Sequence, residues 1–236
     1  RMINEQLPIM LKDSKYAQRL PIGQKAVLDT FKYETVSQFY NDWYRPELMA
    51  VVAVGDVEKG AIEEYIIKHF SKIPTSEEPA KRPFYPVPNH NEILFAIASD
   101  PEAPYSRVNL IQKFDKEKDN ASIKAFKKGI IFDLYNGMLN NRLDELTKIA
   151  EPPFLFVRSR KGSWVQSKQM YTLSAFVQTN EIPKGLEALM TEVQRIQRHG
   201  FTKSELNREK TTFLRKLEKQ YNERDKTESE TFKWQY

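Results

Sequence analysis

The sequence predicts an α+β fold, an antiparallel sheet packed by helices on one face, and three observations predict it. Five short segments, 49–54, 92–99, 106–114, 154–160 and 168–179, are either continuously apolar or alternate apolar with polar residues, as strands do. Several longer segments repeat apolar residues at helical spacing instead. Two pairs of the predicted strands are joined by connections too short for a crossover helix, so they pair antiparallel rather than in a doubly wound parallel sheet.

Residues 1–18 are charged and lack a strong apolar stripe, the pattern of a helix leaving a domain, and "RLPIG" (19–23) breaks it. Thr35 then reads as the cap of a short helix, with Gln38 closing a capping box and Phe39 and Trp43 as inward anchors. The run Met49–Val54 is too short for a helix and reads as a buried strand. It ends on Gly55-Asp56, where Gly55 permits a turn and Asp56 is placed to cap a helix carrying Ala61, Ile62, Tyr65, Ile66 and Phe70. A phosphate-binding loop would need more glycines or a Gly-Lys-Ser/Thr ending, so this corner is structural.

Five prolines in residues 73–91 impose an extended linker. The strands at 92–99 and 106–114 follow, separated by "DPEAPY". Asp119 or Asn120 is placed to cap a long helix whose stripe runs through Ile123, Phe126, Ile130, Leu134, Met138, Leu143 and Leu146 to Ile149, ended by Pro152-Pro153. A second strand pair covers 154–160 and 168–179; in its second member Tyr171, Leu173, Ala175 and Val177 alternate with polar residues. Ile182, Leu186, Leu189, Val193 and Ile196 form the stripe of the next helix, opened by Pro183 and stopped by Gly200. "FTKSEL" starts the last helix, with Thr202 and Glu205 as a capping box and Phe201 as a staple against Leu206.

Composition excludes several functions. Basic residues number 37 against 32 acidic ones, for a net charge of +5, but the two interleave as in "KSELNREK" (203–210). A nucleic-acid binder concentrates its excess in a stripe, so a nucleic-acid-binding module ranks far behind other readings. There is no cysteine, which excludes disulfides and thiolate metal sites. No apolar run reaches membrane-spanning length, so no membrane insertion is expected. The chain has three histidines, His69, His90 and His199, none with a second His at i±4, so no zinc helix of the H-E-x-x-H or H-x-x-E-H kind exists. No nucleophile elbow is present either. No catalytic and no metal-binding residue is expected in this chain.

The order and spacing of "RLPIG", "YRPELMAVVAVGDV" (44–57), "HFSKIP" (69–74), "LNNRLDELTKIAEPPFLFV" (139–157) and "HGFTKSELNREK" (199–210) resemble the insulinase/pitrilysin family of zinc metallopeptidases over essentially all 236 residues. The bacterial two-half zinc proteases are the most similar branch. Two departures stand out: Leu48 precedes Met49 where many members have Asn, and "LTK" (146–148) with Pro152-Pro153 replaces a frequent Arg-Glu…Gly-Leu stretch.

The resemblance implies a processing-peptidase-type domain fold. Residues 1–45 are then the helical tail of a preceding domain, and 46–236 a non-catalytic α+β domain. It further implies a substrate-chamber role in a longer zinc metalloendopeptidase that degrades or processes peptides, inactive by itself. Zinc would be held by a first domain of the parent, and the partners would be the missing domains and peptide substrates. The alternative reading is a structural or assembly subunit of an inactive family member. An extracytoplasmic, for instance periplasmic, location also follows from the resemblance. For peptide binding the residues singled out are Phe154, Phe156, Arg158 and Arg160, expected on one face of an edge strand whose free backbone groups would hold an added peptide strand. The competing role for the arginines is protection of that edge against aggregation.

Overall fold

The computed structural model describes residues 2–19, 22–75, 79–117 and 121–234. Contacts divide the chain into two compact units, one of residues 1–19 with 85–217 and one of residues 20–84 with 218–236.

The first unit carries the sheet. Strands β1 (Ser106–Asp115), β2 (Phe156–Val165) and β3 (Lys168–Val177) lie in the order β1-β3-β2, and both pairings are antiparallel. Val108 and Val157 flank Ala175, and Leu110 and Ser159 flank Leu173. Period-2 geometry therefore puts these side chains on one face. Helices α5 (Ile123–Leu146) and α6 (Ile182–His199) cover it, and Leu139, Leu143 and Leu189 join Phe154, Val157, Leu173, Ala175 and Val177 in one buried core. Gly185 lets α6 approach: a Cβ there would stand 2.5 Å from Val177 Cγ1. Helix α1 (Met2–Met10) also belongs to this unit.

Caps confirm some sequence expectations and move others. Thr202 N–H donates to Glu205 Oε2 at 2.7 Å and Glu205 N–H to Thr202 Oγ1 at 3.3 Å, the reciprocal box expected at the start of α7 (Lys203–Asn222). Gly200 ends α6 with φ +66°, and Pro183 lies in its first turn. Ser122 caps α5, accepting from Ala125 N–H at 3.2 Å; Asp119 and Asn120 lie outside the described residues. The α5 stripe is buried only in its second half: Met138, Leu139 and Leu143 are inside, whereas Ile123 and Phe126 are exposed.

The second unit holds α2 (Lys25–Leu28), α3 (Tyr33–Trp43), α4 (Lys59–Phe70) and α8 (Ser229–Lys233). Arg45 is its one buried residue among those described; its Nη2 donates to Ala80 O at 2.7 Å. Three expectations are corrected here. Helix α3 begins after Lys32, so Thr35 sits within the first turn, Gln38 bonds Asp42, and Phe39 is 57% exposed. Glu58, not Asp56, caps α4, accepting from Gly60 and Ala61 N–H at 2.9 and 2.6 Å, and Gly55 has no positive φ. Glu58 stands two residues nearer the helix and directly precedes its first residue, so its carboxylate reaches the free amides. Met49–Val54 is not a buried strand: it joins no ladder among the described residues, and Val51 and Val52 are 47% exposed. In the first unit, 92–99 likewise stays outside the sheet, with Ile93, Phe95 and Ile97 exposed at alternate positions. Both keep strand-like apolar patterns, but a ladder also requires a neighbour for the backbone groups.

Candidate functional site: the open face of the sheet

Helices cover one face of the sheet and leave the other with a different chemistry. The register aligns Phe156, Arg158 and Arg160 of β2 with Phe176, Ser174 and Thr172 of β3, and these with Arg107, Asn109 and Ile111 of β1. Phe176 is the hub of an aromatic platform: Tyr105 meets it edge-on at 5.1 Å between centroids, Phe156 lies at 6.0 Å, and the Arg107 guanidinium stands over its ring at 5.0 Å. Arg107 Nε donates to both Asn109 Oδ1 and Ser174 Oγ at 3.0 Å, which fixes its stem along the sheet. Ser174 Oγ donates to Asn109 Oδ1 at 2.6 Å. Arg158 and Arg160 are exposed, and neither forms an ion pair among the described residues. Between them and Ile111, the Thr172 hydroxyl is buried without a hydrogen-bond partner among the described residues.

At the far end of the same face the charges are compensated. Lys168 Nζ donates to Asp115 Oδ1 at 2.5 Å and to Asn89 Oδ1 at 2.6 Å, and Lys113 Nζ donates to Met10 O at 2.8 Å. The hydrogen bond from Lys168 holds the Asp115 carboxyl below its usual range, and burial with Lys168 nearby lowers the Lys113 ammonium.

Phe156, Arg158 and Arg160 share this face, as the sequence suggested. Phe154 does not: it precedes β2 and is buried in the core, while the adjacent Leu155 is 52% exposed. The alternation starts only at Phe156, where the ladder starts. The edge is also not free at its middle. Asn140 of α5 accepts from Ser159 N–H at 2.7 Å through Oδ1, and its Nδ2 donates to Ser159 O at 3.0 Å. One amide thus occupies both outward backbone groups of Ser159, as a neighbouring strand would. Ser159 Oγ donates to Asn136 Oδ1 and meets Tyr171 Oη, both at 2.6 Å, and burial pushes the Tyr171 phenol up.

Next along α5, Arg142 binds Glu205 through Nε at 2.5 Å, Glu192 through Nη1 at 3.0 Å and Gly200 O through Nη2 at 3.0 Å, with its guanidinium 4.8 Å from the Phe201 ring centroid. Arg142 holds the Glu205 carboxyl down at about 2. Asn136, Asn140 and Arg142 were not singled out from the sequence; the signal was the polar triplet Asn140-Asn141-Arg142 between Leu139 and Leu143, the two most buried residues of the helix.

The three histidines lie on separate elements. His69 is in α4, His90 bonds Glu92 O at 2.7 Å, and His199 ends α6. Among the described residues no group of three His, Cys, Asp or Glu could hold a metal ion, and no helix is long and apolar enough to cross a membrane.

A three-stranded antiparallel sheet backed on one face by a long helix and an amphipathic one is an α+β domain. It superposes on the periplasmic protease PqqL from Escherichia coli with a TM-score of 0.87, at 22% identity over 98% of this chain and 26% of that one. The first half of the same protease gives 0.85, at 23% identity over 96% of this chain and 48% of that one. A predicted insulinase family protease from Yersinia pestis gives 0.72, at 18% identity over 95% of this chain and 48% of that one. Residues 30–213 match the family profile described as the Peptidase M16 inactive domain. The chain belongs to the peptidase M16 family, the insulinase-like zinc peptidases, and is a non-catalytic domain of it. It is similar to an Arabidopsis thaliana protein named "Zinc protease PQQL-like", at 30% identity over all of this chain and 22% of that protein. The "Probable zinc protease PqqL" of Escherichia coli is 27% identical over 88% of this chain and 22% of that protein. The chain thus spans about a fifth of the length of these relatives.

Proposed function

We propose that this chain is a substrate-chamber domain of a longer zinc metalloendopeptidase, and that it holds peptide on the open face of its sheet through Phe156, Arg158 and Arg160. The observation that carries the reading is that face: an aromatic platform with two exposed arginines, unpaired among the described residues, on a sheet whose other side packs against α5 and α6. Phe154 supports it from the core rather than touching peptide. Because Asn140 occupies the β2 edge at Ser159, the peptide is held by side chains across the face more than by an added strand. Residues 1–45 then complete a preceding domain and 46–236 form the body of this one, with 73–91 as its linker. Zinc and the catalytic groups belong to another domain of the same protein, and an extracytoplasmic location fits the relative described as a periplasmic protease.

The test is steady-state kinetics of the full-length protein carrying Phe156→Ala with Arg158→Gln and Arg160→Gln. The expected outcome is a raised KM for long unfolded peptides, with short peptides that reach only the zinc site cleaved as before. Equal effects on both lengths, or none, would reject the chamber role. A full-length protein that cleaves nothing under any condition would favour a structural subunit instead.

A further inference from the structure

The open face has a built-in order. Phe156, Arg158 and Arg160 follow one another at every second residue of β2, so their side chains stand in a row at intervals of about 6.5–7 Å. The row begins on the aromatic platform of Phe156, Phe176 and Tyr105 and continues as cations. Arg107 adds a third guanidinium beside Phe176, two strands across. The acid of this face, Asp115, is at the other end and already bound to Lys168. Charge at the Phe156 end is therefore one-signed: Arg107, Arg158 and Arg160 have no carboxylate partner among the described residues. A guanidinium pairs best with a planar carboxylate, which it can bind through two parallel N–H donors.

An extended peptide repeats its side chains on one side with the same two-residue interval as β2. We infer that the open face selects extended peptide segments of the pattern apolar-x-acidic-x-acidic, the apolar side chain on Phe156 and Phe176 and the two carboxylates on Arg158 and Arg160. This rests on the peptide-holding reading above and adds the substrate class to it. With Ser159 closed off by Asn140, a peptide gains little from backbone pairing there, which is what lets side-chain charge decide between sequences.

The experiment measures binding to the full-length protein, by fluorescence anisotropy, of three labelled peptides of equal length. The first has the apolar-x-acidic-x-acidic pattern. The second replaces its acids by Gln and Asn. The third keeps the composition but moves the acids to the intervening positions. The first should bind about tenfold more tightly than the second, the sum of two or three exposed pairs, and the gap should close as salt is raised. The third should fall between them. Arg158→Gln with Arg160→Gln should bring the first peptide down to the affinity of the second, while Lys at both positions should restore part of the gap. If all three bind equally, the face holds peptide without selecting charge, and this inference fails while the peptide-holding reading stands. If none binds, both fail.

Discussion

The two faces of one three-stranded sheet were built for different work, and their difference separates stability from recognition. The covered face buries Val157, Leu173, Ala175 and Val177 against Leu139, Leu143 and Leu189, and its Ser159 is hydrogen-bonded to Asn136, Asn140 and Tyr171. The open face leaves Phe156 55% exposed and Arg158 and Arg160 unpaired. A residue moved one position along β2 changes sides, so Arg158 and Ser159 are adjacent in sequence and have opposite roles.

That contrast can be broken by substitution, beginning with the covered face. Phe154→Ala should cost about 3–5 kcal/mol in denaturant unfolding, since its side chain lies wholly in the core. An unfolding midpoint close to wild type would show that the core does not carry the unit. Asn140→Ala should cost about 1–3 kcal/mol, because it leaves the N–H and C=O of a residue that is 1% exposed without partners. It should also open the β2 edge to self-association, seen as concentration-dependent sedimentation. Gly137→Ala should cost a similar amount, about 1–3 kcal/mol, as the new Cβ would stand 2.0 Å from Glu209 Oε1, a carboxylate already held by Asn141.

The Arg142–Glu205 pair gives a pH signature. Glu205 is held at about 2 in the folded chain, below the roughly 4.3 of a free glutamate. The stabilisation it brings is therefore complete above pH of about 4.3 and is lost as pH falls through about 2. Glu205→Gln should flatten this part of the stability profile; an unchanged acid limb would contradict the pairing. The smallest effect belongs to the open face: Arg158→Gln with Arg160→Gln should shift stability by no more than about 0.5 kcal/mol. A larger loss would mean that these arginines hold the sheet together.

What the sequence disclosed follows from range. Features decided within one turn or one strand were legible: the Thr202–Glu205 box, the Gly200 stop, and the alternation that sets Phe156, Arg158 and Arg160 apart from Val157 and Ser159. Features that depend on distant partners were not. Met49–Val54 has the composition of a buried strand, yet the described residues offer it no ladder, and the same is true of 92–99. Phe154 looked like the next member of the Phe156 row, but alternation holds only where the ladder does, and the chain turns into the core just before it. Asn140 could not be foreseen, because a side chain 19 residues away in sequence completes the edge of β2. The placement of Glu58 rather than Asp56 as a cap was a nearer miss: both are acidic, and the choice depends on where α4 begins.

The most direct test of the account is to ask which side of the sheet a bound peptide touches. A photoreactive benzoylphenylalanine placed at Phe156, and separately at the exposed Lys127 on α5, would be irradiated in the full-length protein with an extended acidic peptide. The account predicts cross-linking from position 156, competed by unlabelled peptide, and none from position 127. Capture from position 127 alone, or from neither while the peptide remains bound, would contradict it.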